Sequence, residues 1–387
     1  MHRESQEGID VEKLFPTQEI GSLAKPGWLT HLTKVSRPSK KDISEAETWG
    51  KTIGIPDSDI SELTNILQSE DVFEHRDRVR WFASLYMVRF LESAGLDYVY
   101  NGEATRIEMY EYPIRFIEGF EFLGHVRSFD NKYYRKAACR GKISLRQPYH
   151  TEEFKDVVRL AKHRVKVPIT GAYTLADWSF NEFYLSRKKG LSLKKAKKEA
   201  KREFTLDLAE KVIRPNLRSL ADAGASFIQI DEPAAATHPD EVDLFVEATN
   251  RSTEGIDAKL SLHICYSDYA SLFPSILDIK RCSQFTWEFA NRDDDTRSGY
   301  RVLKLFNEYN DKREIGLGVL NVHVDDIESP ELVRDRICYA ADLLGPERIY
   351  VNPDCGLRTR TWGVAHAKLK NMVLGATHAR ERYTGGK

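Results

Sequence analysis

Eight short stretches of the chain pair apolar runs or alternation with a polar group at or near the C-terminal end. They are EIGSL (19–23), LDYVYNGE (96–103), KVPITGAYT (166–174), ASFIQIDEP (225–233), KLSLHICYS (259–267), QFTWEFA (284–290), IGLGVLNVH (315–323) and RIYVNPDCG (348–356). Runs of this length bounded by turn residues predict strands. Most of the gaps hold helical periodicity, as in 77–95, 210–224, 239–250 and 329–345, several of them closed by a glycine. Parallel neighbours need helical crossovers, and eight of them can close a sheet, so the alternation predicts an α/β fold, a (β/α)8 TIM-type barrel. A doubly wound open sheet is the alternative. Two segments exceed the pattern: 24–95, mostly helical, and 104–165, which contains a strand-like KISLRQ (142–147). Both are expected to be insertions in one catalytic barrel spanning 1–387, since no short-period repeat, low-complexity tract or Pro/Gly linker marks a boundary.

The stretch LSLHICYSD sharpens the picture. Alternation sends Leu260, Leu262 and Ile264 to one face and Ser261, His263 and Cys265 to the other. The apolar face packs; the polar face needs a purpose. Ser22, Glu103, Asp231, His263, Cys265, Glu288, His323 and Cys355 all fall near C-terminal strand ends, which in a barrel meet at one mouth. His-x-Cys alone is equally a core imidazole and a small buried hydrophobe. Joined by Glu288 and Cys355 it becomes one histidine, one carboxylate and two thiolates, a donor set suited to a borderline-soft ion such as Zn²⁺. No close CxxC spacing is present, so the fold must assemble these ligands, which favours a working metal over a structural one.

The other candidates point to an organic substrate. Glu103 and Asp231 suit an ammonium group, the alternatives being a helix cap or a surface ion pair. His323 suits proton transfer or a core hydrogen bond, and Trp178 suits stacking or packing. Cys139, Cys282 and Cys338 have no partner in register and read as structural.

Composition narrows the class further. With 41% hydrophobic and 30% charged residues the chain can build a full core, and a net charge of −1 offers no broad basic field for nucleic acid. No apolar run is long enough to span a bilayer, and the start, MHRESQEGIDVEKLF, lacks a signal-peptide core, so a cytoplasmic location is expected. Five cysteines, an odd number, fit reduced thiols. The basic run 186–204 reads as a solvated helix face, with docking of an acidic partner as the alternative.

The motifs IGS (20–22), GE (102–103), ITG (169–171) with DWSF (177–180), QIDEPA (229–234), HICYS (263–267), GVLNVH (318–323) and NPDCGLRTR (352–360) occur in the order found in one family. The chain resembles the catalytic barrel of cobalamin-independent methionine synthase, in a short form without the N-terminal barrel. That resemblance implies zinc-dependent methyl transfer to the thiol of homocysteine, giving methionine, from a methylated folate or a methylcorrinoid. It matches His263, Cys265, Glu288 and Cys355 to zinc ligands, Ser22, Glu103 and Asp231 to homocysteine binding, His323 to a proton donor and Trp178 to folate stacking. The sequence departs from the family after Glu288, where Phe289, Ala290 and Asn291 replace small polar residues, and in IGSLAKP and NGEATR. Alkyl transfer to another thiol, such as coenzyme M, and a non-catalytic thiol or metal sensor are the competing readings.

Overall fold

The computed structural model describes residues 13–127 and 133–384; most of the opening segment read against a signal peptide, residues 1–12, lies outside the described residues. Eleven strands are described. They are β1 (Tyr98–Val99), β2 (Ile117–Arg127), β3 (Tyr133–Leu145), β4 (Arg164–Val165), β5 (Val167–Thr170), β6 (Phe180–Asn181), β7 (Phe227–Asp231), β8 (Lys259–Ile264), β9 (Cys282–Trp287), β10 (Glu314–Leu320) and β11 (Ile349–Pro353).

The core sheet is parallel and runs β5, β7, β8, β9, β10, β11 in chain order, without the reversal that a doubly wound sheet requires. β4 leads into β5 through Lys166 and pairs in parallel with β1. Two parallel bridges continue the pattern, Gln18 with Tyr98 and Thr17 with Val351 of β11. The architecture is therefore a mixed α/β fold with a parallel, TIM-barrel-like strand core. The first expected strand, 19–23, is displaced: pairing occurs at Thr17 and Gln18, and residues 19–23 form no strand. The third is shortened, because Gly171 ends β5 and Ala172–Asp177 turns helical.

Helices form where the periodicity places them. Arg76–Ala94 ends at Gly95, whose φ of 92° is the left-handed cap that glycine adopts without a Cβ penalty. Pro330–Leu344 starts at Ser329, whose hydroxyl accepts the Leu332 N–H. The 104–165 segment contains an antiparallel β2–β3 hairpin, and KISLRQ is largely its second strand, Ile117 facing Leu145. The basic run becomes the helix Leu193–Leu208, which buries Ala196, Ala200, Phe204 and Leu208 and turns Lys194, Lys195, Lys197 and Lys198 to solvent. None of the described helices is long and apolar enough to cross a membrane.

The polar face of the strands forms a buried network. Gln18 Nε2 donates to Gln284 Oε1 and to Asn352 Oδ1, both at 3.0 Å, while its Oε1 accepts from Lys166 Nζ at 3.2 Å. Lys166, 1% exposed, also donates to Gln229 Oε1 at 2.7 Å and to the Glu19 carbonyl. Burying so many polar groups is tolerable only when each finds a partner. Gln18→Leu, which removes three of these hydrogen bonds and leaves Asn352 Oδ1 without its donor, is expected to lower the unfolding free energy by about 2 kcal/mol or more, read by urea denaturation.

Candidate active site and metal centre

His263 lies on β8, Cys265 one residue beyond its end, and Cys355 two residues beyond β11. The imidazole is oriented from below: Nδ1 donates to the Thr286 carbonyl of β9 at 3.0 Å, leaving Nε2 buried without a hydrogen-bond partner. Donor atoms of His263, Cys265 and Cys355 all lie within 4.8 Å of one another. The hydrogen bond from Cys265 and the neighbouring His263 hold the Cys355 thiol well below the usual thiol range. Cys265 is pushed the other way, by that same sulfur and by burial. Burial depresses His263, but the Cys355 sulfur together with the Asp231 and Glu288 carboxylates outweighs it and raises the ring above its ordinary value. A soft donor set with an unpartnered imidazole nitrogen fits a Zn²⁺-like cation.

Glu288 is not in that group of three. Burial, then the Cys355 and Asp354 charges, push its carboxyl up to about 8. Its Oε2 accepts from Asn291 Nδ2 at 2.8 Å. The turn carrying it is fastened by Asp354, which accepts the backbone N–H groups of Phe289 and Ala290 on Oδ1 at 2.9 Å and that of Asn291 on Oδ2 at 2.7 Å. Asp354 adjoins Cys355, so one carboxylate joins the stretches bearing Cys355 and Glu288. Room for it depends on Gly318, where a Cβ would stand 2.3 Å from Asp354 Oδ1 and 2.7 Å from the Trp287 carbonyl.

Ser22, Glu103, Asp231 and His323 join the three donors around one cavity of about 380 Å³; Glu288 and Trp178 do not line it. Glu103 sits at a left-handed φ of 58°, strained for a residue with a Cβ. Asn101 Oδ1 accepts its N–H at 3.1 Å, and Arg106 Nη1 approaches Oε1 at 3.4 Å. Arg106 is itself anchored by the buried Glu153 carboxylate at 2.7 Å. Burial pushes Asp231 up to about 7, opposed by His263. His323 is exposed beside the cavity, its Nδ1 3.3 Å from the Tyr266 hydroxyl, and burial of part of the ring lowers its pKa. Trp178 stacks on Tyr134 of the hairpin, centroids 5.6 Å apart.

Sequence reasoning missed Asp354, Arg106, Lys166 and Gln229. Asp354 and Gln229 stood inside quoted motifs, masked by their neighbours. A lysine opening the apolar run KVPIT was a visible signal, because a lysine that enters a core strand must find acceptors there.

A parallel core with a thiol–imidazole cluster beside a cavity that carries Glu103 and Asp231 has the layout of an enzyme site, and the relatives of the chain make it a methyltransferase of the methionine-synthase type. Residues 68–378 match the family described as cobalamin-independent synthase, catalytic domain, and the chain belongs to that family. It is 37% identical over 381 residues to the methionine synthase of Thermoplasma acidophilum, covering 92% of this chain and 96% of that protein. The methionine synthase of Thermococcus kodakarensis is 38% identical, with 94% and 92% covered. In fold, the chain is similar to a B12-independent methionine synthase from Shewanella sp. W3-18-1, solved in complex with selenomethionine, with a TM-score of 0.73, 21% identity and 96% and 99% of the two chains covered.

Gly318→Ala is expected to destabilise the protein by about 1–3 kcal/mol through overpacking against Asp354, read as a lowered thermal midpoint. An unchanged midpoint would mean that the Asp354 turn yields freely.

Proposed function

We propose that this chain transfers a methyl group from a methylated folate or a methylcorrinoid to the thiol of homocysteine, using a zinc ion held by His263, Cys265 and Cys355 with Glu288 as fourth donor. The observation that carries it is the convergence of the three soft donors, from separate stretches of chain, on a cavity whose other walls hold Glu103 and Asp231. The bridges at Thr17 and Gln18 support reading the strand core as a closed (β/α)8 barrel, one catalytic unit carrying the helical segment before β1 and the β2–β3 hairpin as insertions.

Zinc, when bound, favours the thiolate over the thiol and so supplies a nucleophile at neutral pH. The chain's own residues do the rest. Glu103 and Asp231 receive the ammonium of homocysteine, and Ser22 contacts its polar end, which turns the thiol toward the cysteines. The new C–S bond forms as the donor's bond to the methyl carbon breaks. With a folate donor the departing nitrogen needs a proton, and His323, beside the cavity, supplies it through the ring nitrogen not engaged by Tyr266. Trp178 lies off the cavity wall, so any stacking on the donor would take place beyond the homocysteine pocket. Two carboxylates would repel the sulfonate of coenzyme M, which favours an amino-acid thiol.

Purified protein is expected to hold about one zinc per chain, and Cys355→Ser to lose most of it; full retention by the variant would refute the site. Asp231→Asn is expected to raise the KM for homocysteine about tenfold or more with a smaller effect on kcat. Methyl-tetrahydrofolate, its polyglutamate and methylcobalamin, each assayed with homocysteine and with coenzyme M, identify donor and acceptor. Transfer from none of them would favour a sensor.

A further inference from the structure

Beneath Asp231 lies a side chain whose polarity is dictated by its surroundings. Lys166 is sealed in the core, and its ammonium, a pure donor with three hydrogens, is met by three oxygens: Gln18 Oε1 at 3.2 Å, Gln229 Oε1 at 2.7 Å and the Glu19 carbonyl. The Gln229 amide cannot turn over, since the other orientation would set its Oε1 against the Ile20 carbonyl and the Asp231 carboxylate and its NH₂ against Lys166 Nζ. Its Nε2 is committed to the opposite side, donating to the Ile20 carbonyl at 2.6 Å and to Asp231 Oδ1 at 2.7 Å.

Both recipients border the cavity. Ile20 leads into Gly21 and Ser22 on one wall, and Asp231 stands on another. One amide thus ties one carboxylate oxygen and fixes the spacing between the two walls.

We propose that Gln229, held in one orientation between Lys166 and the cavity wall, is the positioning residue that keeps the Asp231 carboxylate aimed into the cavity, and that through it the site selects thiols carrying an α-ammonium over thiols of the same length without one. This rests on Asp231 as the ammonium receptor, and the test separates the two.

The full-length zinc-loaded protein is titrated calorimetrically with homocysteine and with 4-mercaptobutanoate, which lacks only the amino group, after metal content is matched across variants. Gln229→Leu is expected to weaken homocysteine roughly tenfold while leaving 4-mercaptobutanoate unchanged, and to add no further loss on an Asp231→Asn background. Gln229→Glu keeps an acceptor for Lys166 but turns an acceptor toward Asp231, and is expected to show the same selective loss; it serves if the leucine variant does not fold. Equal weakening of both ligands would overturn the proposal in favour of a purely structural role. Selective loss in Asp231→Asn with none in either Gln229 variant would overturn the positioning role alone. Unchanged homocysteine binding in Asp231→Asn would remove the ammonium reading and the proposal with it.

Discussion

Two sulfurs and an imidazole packed within 4.8 Å of one another, largely out of water, set one another's hold on protons. Cys355 gives up its proton readily while Cys265 and His263 hold theirs more tightly. Such a cluster is poised to exchange protons for a cation. It exists only because parallel strands all end on the same side, so that residues 90 positions apart in the chain, Cys265 and Cys355, become neighbours. The parallel topology thus does for these ligands what a CxxC loop does elsewhere.

The acids around the site show how burial sorts carboxylates into roles. Asp354 spends its oxygens on three backbone N–H groups, and Glu232 accepts from the N–H groups of Tyr173 and Thr174 and from the Thr174 hydroxyl. Burial pushes both up to about 7, as it does Asp231. The first two are fasteners of loops. Asp231 has one side-chain partner, Gln229, and borders the cavity, so it alone of the three is available to a ligand.

Much of this was legible in the sequence, because strand identity follows from apolar runs and the chemistry sits where those runs stop. β7, β8 and β11 fall within the stretches that alternation marks, β9 and β10 begin one or two residues ahead of theirs, and His263, Cys265 and Cys355 come together as the polar face of LSLHICYSD suggested. What escaped was set by tertiary context. Residues 19–23 look like a strand because Ile20 and Leu23 are apolar, yet the backbone there bends to follow the cavity, and its carbonyl groups serve Lys166 and Gln229 instead of a ladder. Trp178 carried a stacking signal, but its distance from the cavity wall depends on a hairpin whose position no local pattern encodes. Asp354 and Gln229 act through hydrogen bonds to groups far away in sequence, which no spacing rule anticipates.

The contacts made by Asp354 reach only the main chain of residues 289–291. Any amino acid other than proline offers the same amide hydrogens, so the fastening itself does not depend on which side chains residues 289–291 carry. A chain can therefore keep Glu288 and follow it with Phe, Ala and Asn once those side chains find places of their own, as Phe289 does against Tyr300 and Asn291 does on the Glu288 carboxylate.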